Sequence, residues 1–142
     1  MDRREMLAGA GLLAVAGVAL AAEDHSHHHH GGGKYAALAG TSADCLRIGQ
    51  TCLAHCHVLL GQGDKEMGAC AASVTQMLAA CDALMKLSAA DSRFTPKMAA
   101  VALAICEDCE KECRKHDKKH AECKACGDAC ATCAKECKKV AA

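Results

Sequence analysis

After its first 40 residues, the chain carries four segments in which non-polar and polar positions recur at helical spacing, each bounded by helix-capping or helix-breaking residues. Thr41 or Ser42 provides an N-cap for the first helix, which runs to the break at Gly61-Gln62-Gly63. Asp64 provides a cap for the second helix, which runs to about Leu87. The pattern therefore predicts two helices of about 20 residues joined by a short turn.

A connector over residues 88–94 separates this pair from two further helices. Their predicted bounds are Thr95, with Pro96 at the first helical position, to about His116, and about Asp117 or His120 to Lys139. Four helices with short links predict an all-α fold, an antiparallel up-down four-helix bundle over residues 41–139.

The stripe that holds leucines in an ordinary bundle is occupied here by cysteine. Plotted at 100° per residue, the cysteines of each helix fall on one side of it. Grouped by helix, the thirteen are Cys45, Cys52 and Cys56; Cys70 and Cys81; Cys106, Cys109 and Cys113; and Cys123, Cys126, Cys130, Cys133 and Cys137. The opposite faces are small and apolar on the first two helices and densely charged, as on a solvated face, on the last two. The sequence thus predicts a core lined by thiols.

The composition provides almost no aromatic side chains to fill such a core. Tyr35 and Phe94 are the only aromatic residues in 142, although aromatic side chains bury the most area per residue. No Ser–His–Asp, paired-carboxylate or phosphate-loop constellation is present, and thiols packed inside a bundle lack the exposed, electropositive setting of a catalytic nucleophile. The chain is therefore interpreted as a binding protein and not as an enzyme.

The N-terminus is typical of an exported protein. Arg3 and Arg4 precede a charge-free apolar run of 14 residues, shorter than the roughly 20 that span a membrane, and an A-x-A cleavage site follows. Residues 1–21 are predicted to be a twin-arginine-type signal peptide, although a membrane anchor is the alternative, and residues 22–40 a flexible leader rich in His and Gly. The expected compartment is the periplasm.

Net charge argues against two classes of partner. Without residues 1–21, 15 basic and 15 acidic side chains remain of the 17 of each sign in the whole chain. A neutral balance does not favour nucleic acid or an anionic membrane surface, so neither is expected as a partner. Stable membrane insertion is not expected either, because the apolar run is too short to span a membrane.

Disulfides and zinc both fit the cysteine pattern poorly. Cysteines four apart on one helix have nearly parallel Cβ directions, and thirteen cannot all pair, which weighs against a disulfide-stapled structural bundle. Zinc requires four converging ligands, and each four-thiolate site would bury two net negative charges without compensating cations.

An iron–sulfur electron carrier is the stronger metal alternative. The spacing Cys126-x3-Cys130-x2-Cys133 matches that of a radical-type cluster loop, and Cys123-x2-Cys126 resembles ferredoxin spacing. Such cysteines usually lie on loops around one cluster, with a proline after the run in ferredoxins, whereas here they lie within a helix and no proline follows.

Copper(I) fits the pattern best, because this soft ion prefers thiolate ligands. It accepts two or three ligands without a tetrahedral arrangement. Pairs such as Cys52 and Cys56, four apart on one helix face, can grip one ion. If each thiolate bridges two ions and each ion takes two thiolates, the assembly is neutral and can lie in an apolar interior. The upper limit is then about 13 Cu(I) ions per chain.

Antiparallel helices also place the cysteines at predicted levels along a thiol-lined tube about 20 Å long. From the end nearest Gly61 the levels are Cys56, Cys70, Cys113, Cys123 and Cys126; then Cys52, Cys109 and Cys130; then Cys106 and Cys133; and finally Cys45, Cys81 and Cys137.

The run Cys106-x2-Cys109-x3-Cys113, His116-x3-His120, Cys123-x2-Cys126-x3-Cys130-x2-Cys133-x3-Cys137 resembles the cysteine-rich four-helix-bundle copper storage proteins over about residues 42–139. With the twin-arginine leader, it resembles their exported branch. The resemblance implies a homotetramer of bundles that hold many Cu(I) ions for later use, against toxicity and for a copper-dependent recipient enzyme.

The resemblance also implies secondary Met and His ligands near a bundle mouth. Met67, His116 and His120 are expected at one end and Met85 at the other, although the methionines fit equally well as core filling and the histidines as exposed residues of a turn. His55 is expected to flank the thiol stripe. The tract from His25 to His30 is interpreted either as a metal-capturing segment or as a spacer.

Overall fold

The computed structural model describes residues 32–142, which form four helices: α1 (Ala36–Gly61), α2 (Met67–Ala89), α3 (Thr95–Arg114) and α4 (Ala121–Val140). The predicted signal peptide and the His25–His30 tract lie outside these residues. Each helix approaches its two neighbours around a ring, α1 against α2 and α4, and α3 against α2 and α4. Within the described part of the chain the diagonal helices do not approach each other, which leaves the axis to side chains. The predicted all-α, antiparallel four-helix bundle is confirmed.

Helix α1 begins earlier than the sequence predicts. Its first residue is Ala36, so 36–40 are helical although they were assigned to the leader. The hydroxyls of Thr41 and Ser42 donate to the carbonyl of Leu38 within the helix, at 3.2 and 2.8 Å, so the predicted N-cap at these residues is wrong. Burial of Tyr35 and Leu38 extends the helix, because packing of an apolar face contributes more to helix stability than a cap does.

The starts of the other helices also differ in detail. Asp64 accepts a hydrogen bond from the Glu66 amide at 3.1 Å in the turn before α2, three residues ahead of the helix itself. Thr95 begins α3 as predicted, but its hydroxyl donates to the Leu87 carbonyl at 3.1 Å and so ties α3 to α2 instead of capping α3. Helix α4 follows His120, the second of the two predicted starts.

The core consists of sulfur and small side chains. All thirteen cysteines have zero exposed fraction. The larger buried side chains around them include Leu38, Val74 and Leu84, and Met67 and Met77. Phe94, one of the two aromatic residues, is 52% exposed, so the ring of Tyr35 is the only aromatic one buried in the described residues. The prediction of a core without aromatic filling is therefore wrong for Tyr35, which packs with the core cluster, and correct for Phe94.

Helix α2 is long and apolar enough to cross a membrane by length and composition alone. Half of that stretch is buried inside the bundle, as a core helix would be. The bundle therefore accounts for its hydropathy.

The outer faces of α3 and α4 are charged, as expected, and ion pairs join them. Arg114 donates to Asp128 at 2.7 Å and lies 3.1 Å from Glu110, and Lys138 lies 2.8 Å from Glu107. Exposed pairs of this kind contribute little stability each, typically below about 1 kcal/mol. They instead keep these two helices solvated on the side away from the thiols.

Small side chains let α1 and α2 approach closely, and Gly49 is the tightest point. A Cβ at this buried glycine would lie 2.5 Å from the Cε of Met77 and 3.0 Å from Leu78. A Cβ at Gly40, an exposed glycine of the same helix, would meet nothing within 4 Å. The two glycines therefore form a matched pair in one helix.

We expect Gly40→Ala to stabilise the empty, reduced bundle by about 0.5–1 kcal/mol, the difference in helix propensity between glycine and alanine. The same change at Gly49, Gly49→Ala, should instead destabilise it by up to about 1–3 kcal/mol, because the added Cβ must displace Met77 and Leu78 from a packed interface. Urea unfolding monitored by circular dichroism measures both. Equal effects of the two substitutions would contradict the close approach at Gly49.

Candidate metal centre

Every predicted cysteine ligand faces the inside of the bundle, in what we call the sulfur column. The helical period explains this placement, because residues three and four apart share one face and that face is turned toward the axis. The expectation that sulfur lines the interior is confirmed.

The sulfur atoms of the column gather into four groups, within each of which the Sγ atoms lie within 4.8 Å of one another. The groups are Cys45, Cys81, Cys106 and Cys133; Cys52, Cys56, Cys70 and Cys123; Cys52, Cys113 and Cys126; and Cys109, Cys126 and Cys130. The first draws one cysteine from each helix. Cys52 and Cys126 each belong to two groups and so join three of the groups into a continuous run.

These groups match the predicted levels in part. Cys45 and Cys81 were expected at the far end with Cys137, and Cys106 and Cys133 one level nearer the Gly61 end, but all except Cys137 form one group. Cys52 reaches the first level through its 4.0 Å contact with Cys123. Each residue adds only about 1.5 Å of rise along a helix, so cysteines whose levels differ by a few residues can still lean into one group. Residue counting does not resolve such differences.

No disulfide joins cysteines in the described residues. The closest pairs between α2 and α3 are Cys70 and Cys113 at 3.7 Å and Cys81 and Cys106 at 3.8 Å. These are hydrogen-bonding distances, well beyond the roughly 2.05 Å of an S–S bond. The thiols are therefore placed as ligands or free thiols.

The column contains no cation of its own. The buried polar or charged residues of the described chain are all hydroxyl-bearing, namely Ser42, Ser73, Ser88 and Thr95. Ser42 Oγ lies 3.9 Å from Cys133 Sγ and is the nearest of them to sulfur by a recorded contact. Thiolates in this interior must be neutralised by whatever they bind, because an unpaired buried charge costs several kcal/mol.

The thiols titrate as coupled groups. Hydrogen bonds from neighbouring thiols, that of Cys106 first, lower the pKa of Cys45 to about 5. The same neighbour raises the pKa of Cys81. The thiols of this group therefore titrate together and not as independent groups.

Burial is the first cause of the pKa shift for two cysteines near the other end of the column, Cys56 and Cys123. It raises the pKa of Cys56 to about 11, and the charge of Cys52 adds to the effect. Burial likewise raises the pKa of Cys123. At neutral pH these two residues are protonated, so a metal ion that binds them must displace protons.

The geometry of the sulfur groups fits some of the candidate metals better than others. Sulfur groups of three and four without cations suit soft monovalent ions that take two or three bridging thiolates. A zinc ion in each four-sulfur group would leave two uncompensated negative charges in the interior. The spacing that resembles an iron–sulfur loop is divided, because Cys133 lies in a different group from Cys126 and Cys130.

The pair with ferredoxin-like spacing is also divided between different sulfur groups. Cys123 and Cys126 do not share a group. An iron–sulfur cluster held by either spacing therefore finds no support in the structure.

The expected secondary ligands occupy varied environments. Met67 is fully buried at the start of α2, whereas Met85 is only half-buried. His116 is half-buried in the turn between α3 and α4. His120 precedes α4, and its Nδ1 lies 3.0 Å from Nε2 of His55.

Sequence reasoning left His55 as a flanking residue and did not single out Glu122. The structure brings His55 to His120, and it places Glu122 Oε2 3.7 Å from His55 Nε2. Counting levels along antiparallel helices could have found them, because His55 adjoins Cys56 and Glu122 adjoins Cys123, two cysteines of one group.

Comparison with known proteins agrees with this geometry. The Cu(I)-bound copper storage protein BsCsp3 is 29% identical, with a TM-score of 0.66, over 77% of this chain and 100% of that chain. Apo-Csp3 from Bacillus subtilis is 30% identical, with a TM-score of 0.65, over 75% of this chain and 97% of that chain. No curated protein matches the sequence. The sequence model of the copper storage protein family matches residues 32–142, so this chain belongs to the copper storage protein family.

Proposed function

We propose that the protein stores and sequesters Cu(I) inside its bundle. The observation that carries the proposal is the burial of all thirteen sulfurs, twelve of them in four groups, with no Lys or Arg buried in the described residues. Cu(I) neutralises thiolates one to one when thiolates bridge, so the filled column is uncharged. The Cu(I)-bound relative supports the same ion.

Storage, and not catalysis, is the role that burial favours. A reactive cysteine needs partial exposure and a nearby positive charge to stabilise its thiolate. None of the thirteen thiols has exposed area, and no Lys or Arg is buried in the described residues. The cysteines can hold a cargo but do not present a nucleophile to a substrate.

Anaerobic titration of the mature, reduced chain with Cu(I) against a competing chelator tests the proposal. We expect many ions per chain, up to about 13, with ultraviolet absorption only and no colour. Binding of fewer than about four ions, or brown protein as isolated, would contradict storage.

Two cysteine variants of α4 test in the same titration whether the sulfur groups bind the ions. Cys126 belongs to two sulfur groups, whereas Cys137 belongs to none, and both are fully buried. Cys126→Ala should lower the number of tightly bound ions by more than Cys137→Ala does. Equal losses would show that the column does not bind through the groups seen here.

Binding should also depend on pH. Burial raises the pKa of Cys56 to about 11, so its proton is present at neutral pH and must leave when Cu(I) binds. Apparent affinity therefore rises with pH, by at most about tenfold per pH unit for each proton displaced, and falls as pH is lowered. Competition titrations between about pH 6.5 and 8.5, corrected for the protonation of the chelator, measure the slope. A flat profile would contradict thiols as the resting state of the ligands.

We also propose that the chain is exported to the periplasm, on the strength of Arg3, Arg4 and the apolar run that follows them. Fractionation of cells that express the full chain should recover protein lacking residues 1–21 outside the cytoplasm. Replacing Arg3 and Arg4 by Lys should retain the protein inside the cytoplasm, and unchanged export would overturn a twin-arginine route.

We further propose a homotetramer and a copper-dependent recipient enzyme, which rest on the family resemblance alone. Sedimentation of the mature chain as a monomer would overturn the homotetramer.

A further inference from the structure

Met77 is a fully buried methionine in the middle of α2. It follows Cys70 by seven residues and precedes Cys81 by four, so its side chain lies within about 40° of both around the helix. Both cysteines belong to the sulfur groups. The side chain of Met77 therefore lies on the face of α2 that lines the sulfur column.

Two sulfur contacts between α2 and α3 fix the level of Met77 along the bundle. The pairs that make them, at 3.7 and 3.8 Å, are Cys70 with Cys113 and Cys81 with Cys106. Met77 lies between the two contacts on α2, and Cys109 is the one cysteine between them on α3. Because neighbouring antiparallel helices keep their register over so short a distance, Met77 and Cys109 share a level.

The sulfur group at this level takes its cysteines from α3 and α4 alone. It consists of Cys109, Cys126 and Cys130, and we call it the α3–α4 group, since each of the other three groups contains at least one cysteine of α1. On α1 this level is occupied by Gly49, and the Cε of Met77 lies 2.5 Å from the position that a Cβ would take there. The methionine thus fills space that a side chain from α1 would otherwise fill.

A thioether suits this level because it is a soft ligand without charge. Three thiolates on one Cu(I) would carry two net negative charges into an interior in which no Lys or Arg of the described residues is buried. Two thiolates and one thioether carry only one, which a further bridged Cu(I) removes. Methionine has three rotatable bonds, so its Sδ can turn toward the thiols without movement of α2.

We propose that Met77 is a Cu(I) ligand in the middle of the sulfur column, where its Sδ completes the coordination of an ion held by the α3–α4 group. This role rests on the proposed storage of Cu(I) and adds a ligand to it. It differs from the ligands that the family resemblance implies, because Met67 lies at the start of α2 and Met85 near its end.

X-ray absorption at the selenium edge tests this role. The chain without residues 1–21 has four methionines, namely Met67, Met77, Met85 and Met98. Replacing three of them by Leu, at a cost usually below about 1.5 kcal/mol each, leaves one that selenomethionine can label. The labelled chain is filled with Cu(I) under anaerobic conditions, and its Cu(I) content is measured. We expect a copper atom at bonding distance from selenium in the variant that retains Met77.

Met98 provides the matched control, because it is half-buried at the start of α3, two turns before the first cysteine of that helix. The variant that retains Met98 alone should show no copper beside selenium. Full Cu(I) content without copper beside the selenium of Met77 would overturn the ligand but not storage, and would leave Met77 as core filling. Equal copper signals in both variants would also overturn it. Low Cu(I) content in both variants and in the wild type would overturn storage itself, and the ligand with it.

A single substitution keeps the test decisive if a triple variant does not fold. Cu(I) is diamagnetic, so the methyl signals of ¹³C-labelled methionine stay visible by NMR in the filled wild type, and Met77→Leu identifies the signal of Met77. That signal should shift more on filling than the signal of Met98, because ligation draws electron density from sulfur. A shift no larger than that of Met98 would overturn the proposal.

Discussion

The interior of this protein depends on one constraint, which is that buried sulfur must be electrically neutral. Thirteen buried thiols occupy a space in which no Lys or Arg of residues 32–142 is buried to offset thiolate charge. At Cys56 the empty bundle meets the constraint with a proton, because burial raises the pKa of this thiol to about 11. The filled bundle meets it with monovalent cations. Protons and Cu(I) therefore exchange on the same sulfur atom there.

The short distances between the sulfur atoms explain the choice of side chains around the column. Groups of three and four sulfurs need helices that approach closely, and Gly49 against Met77 and Leu78 allows this for α1 and α2. Bulky aromatic rings at the axis would separate the sulfur atoms beyond the reach of one ion. The absence of such rings removes much of the area that stabilises an ordinary core. The bundle thus gives up packing energy in its empty state to keep its ligands within bonding range of the cargo.

Much of this arrangement could be predicted because it follows from helical periodicity. Cysteines three and four apart must share a face, and four such faces in antiparallel helices must meet at the axis, which the complete burial of all thirteen confirms. The start of α1 could not be predicted from caps, because burial of Tyr35 and Leu38 extends the helix past Thr41 and Ser42. The contact between His55 and His120 was not predicted, because levels along the bundle were assigned to the cysteines alone. His55 and His120 are 65 residues apart, and only the packing of α1 beside α4 brings them together.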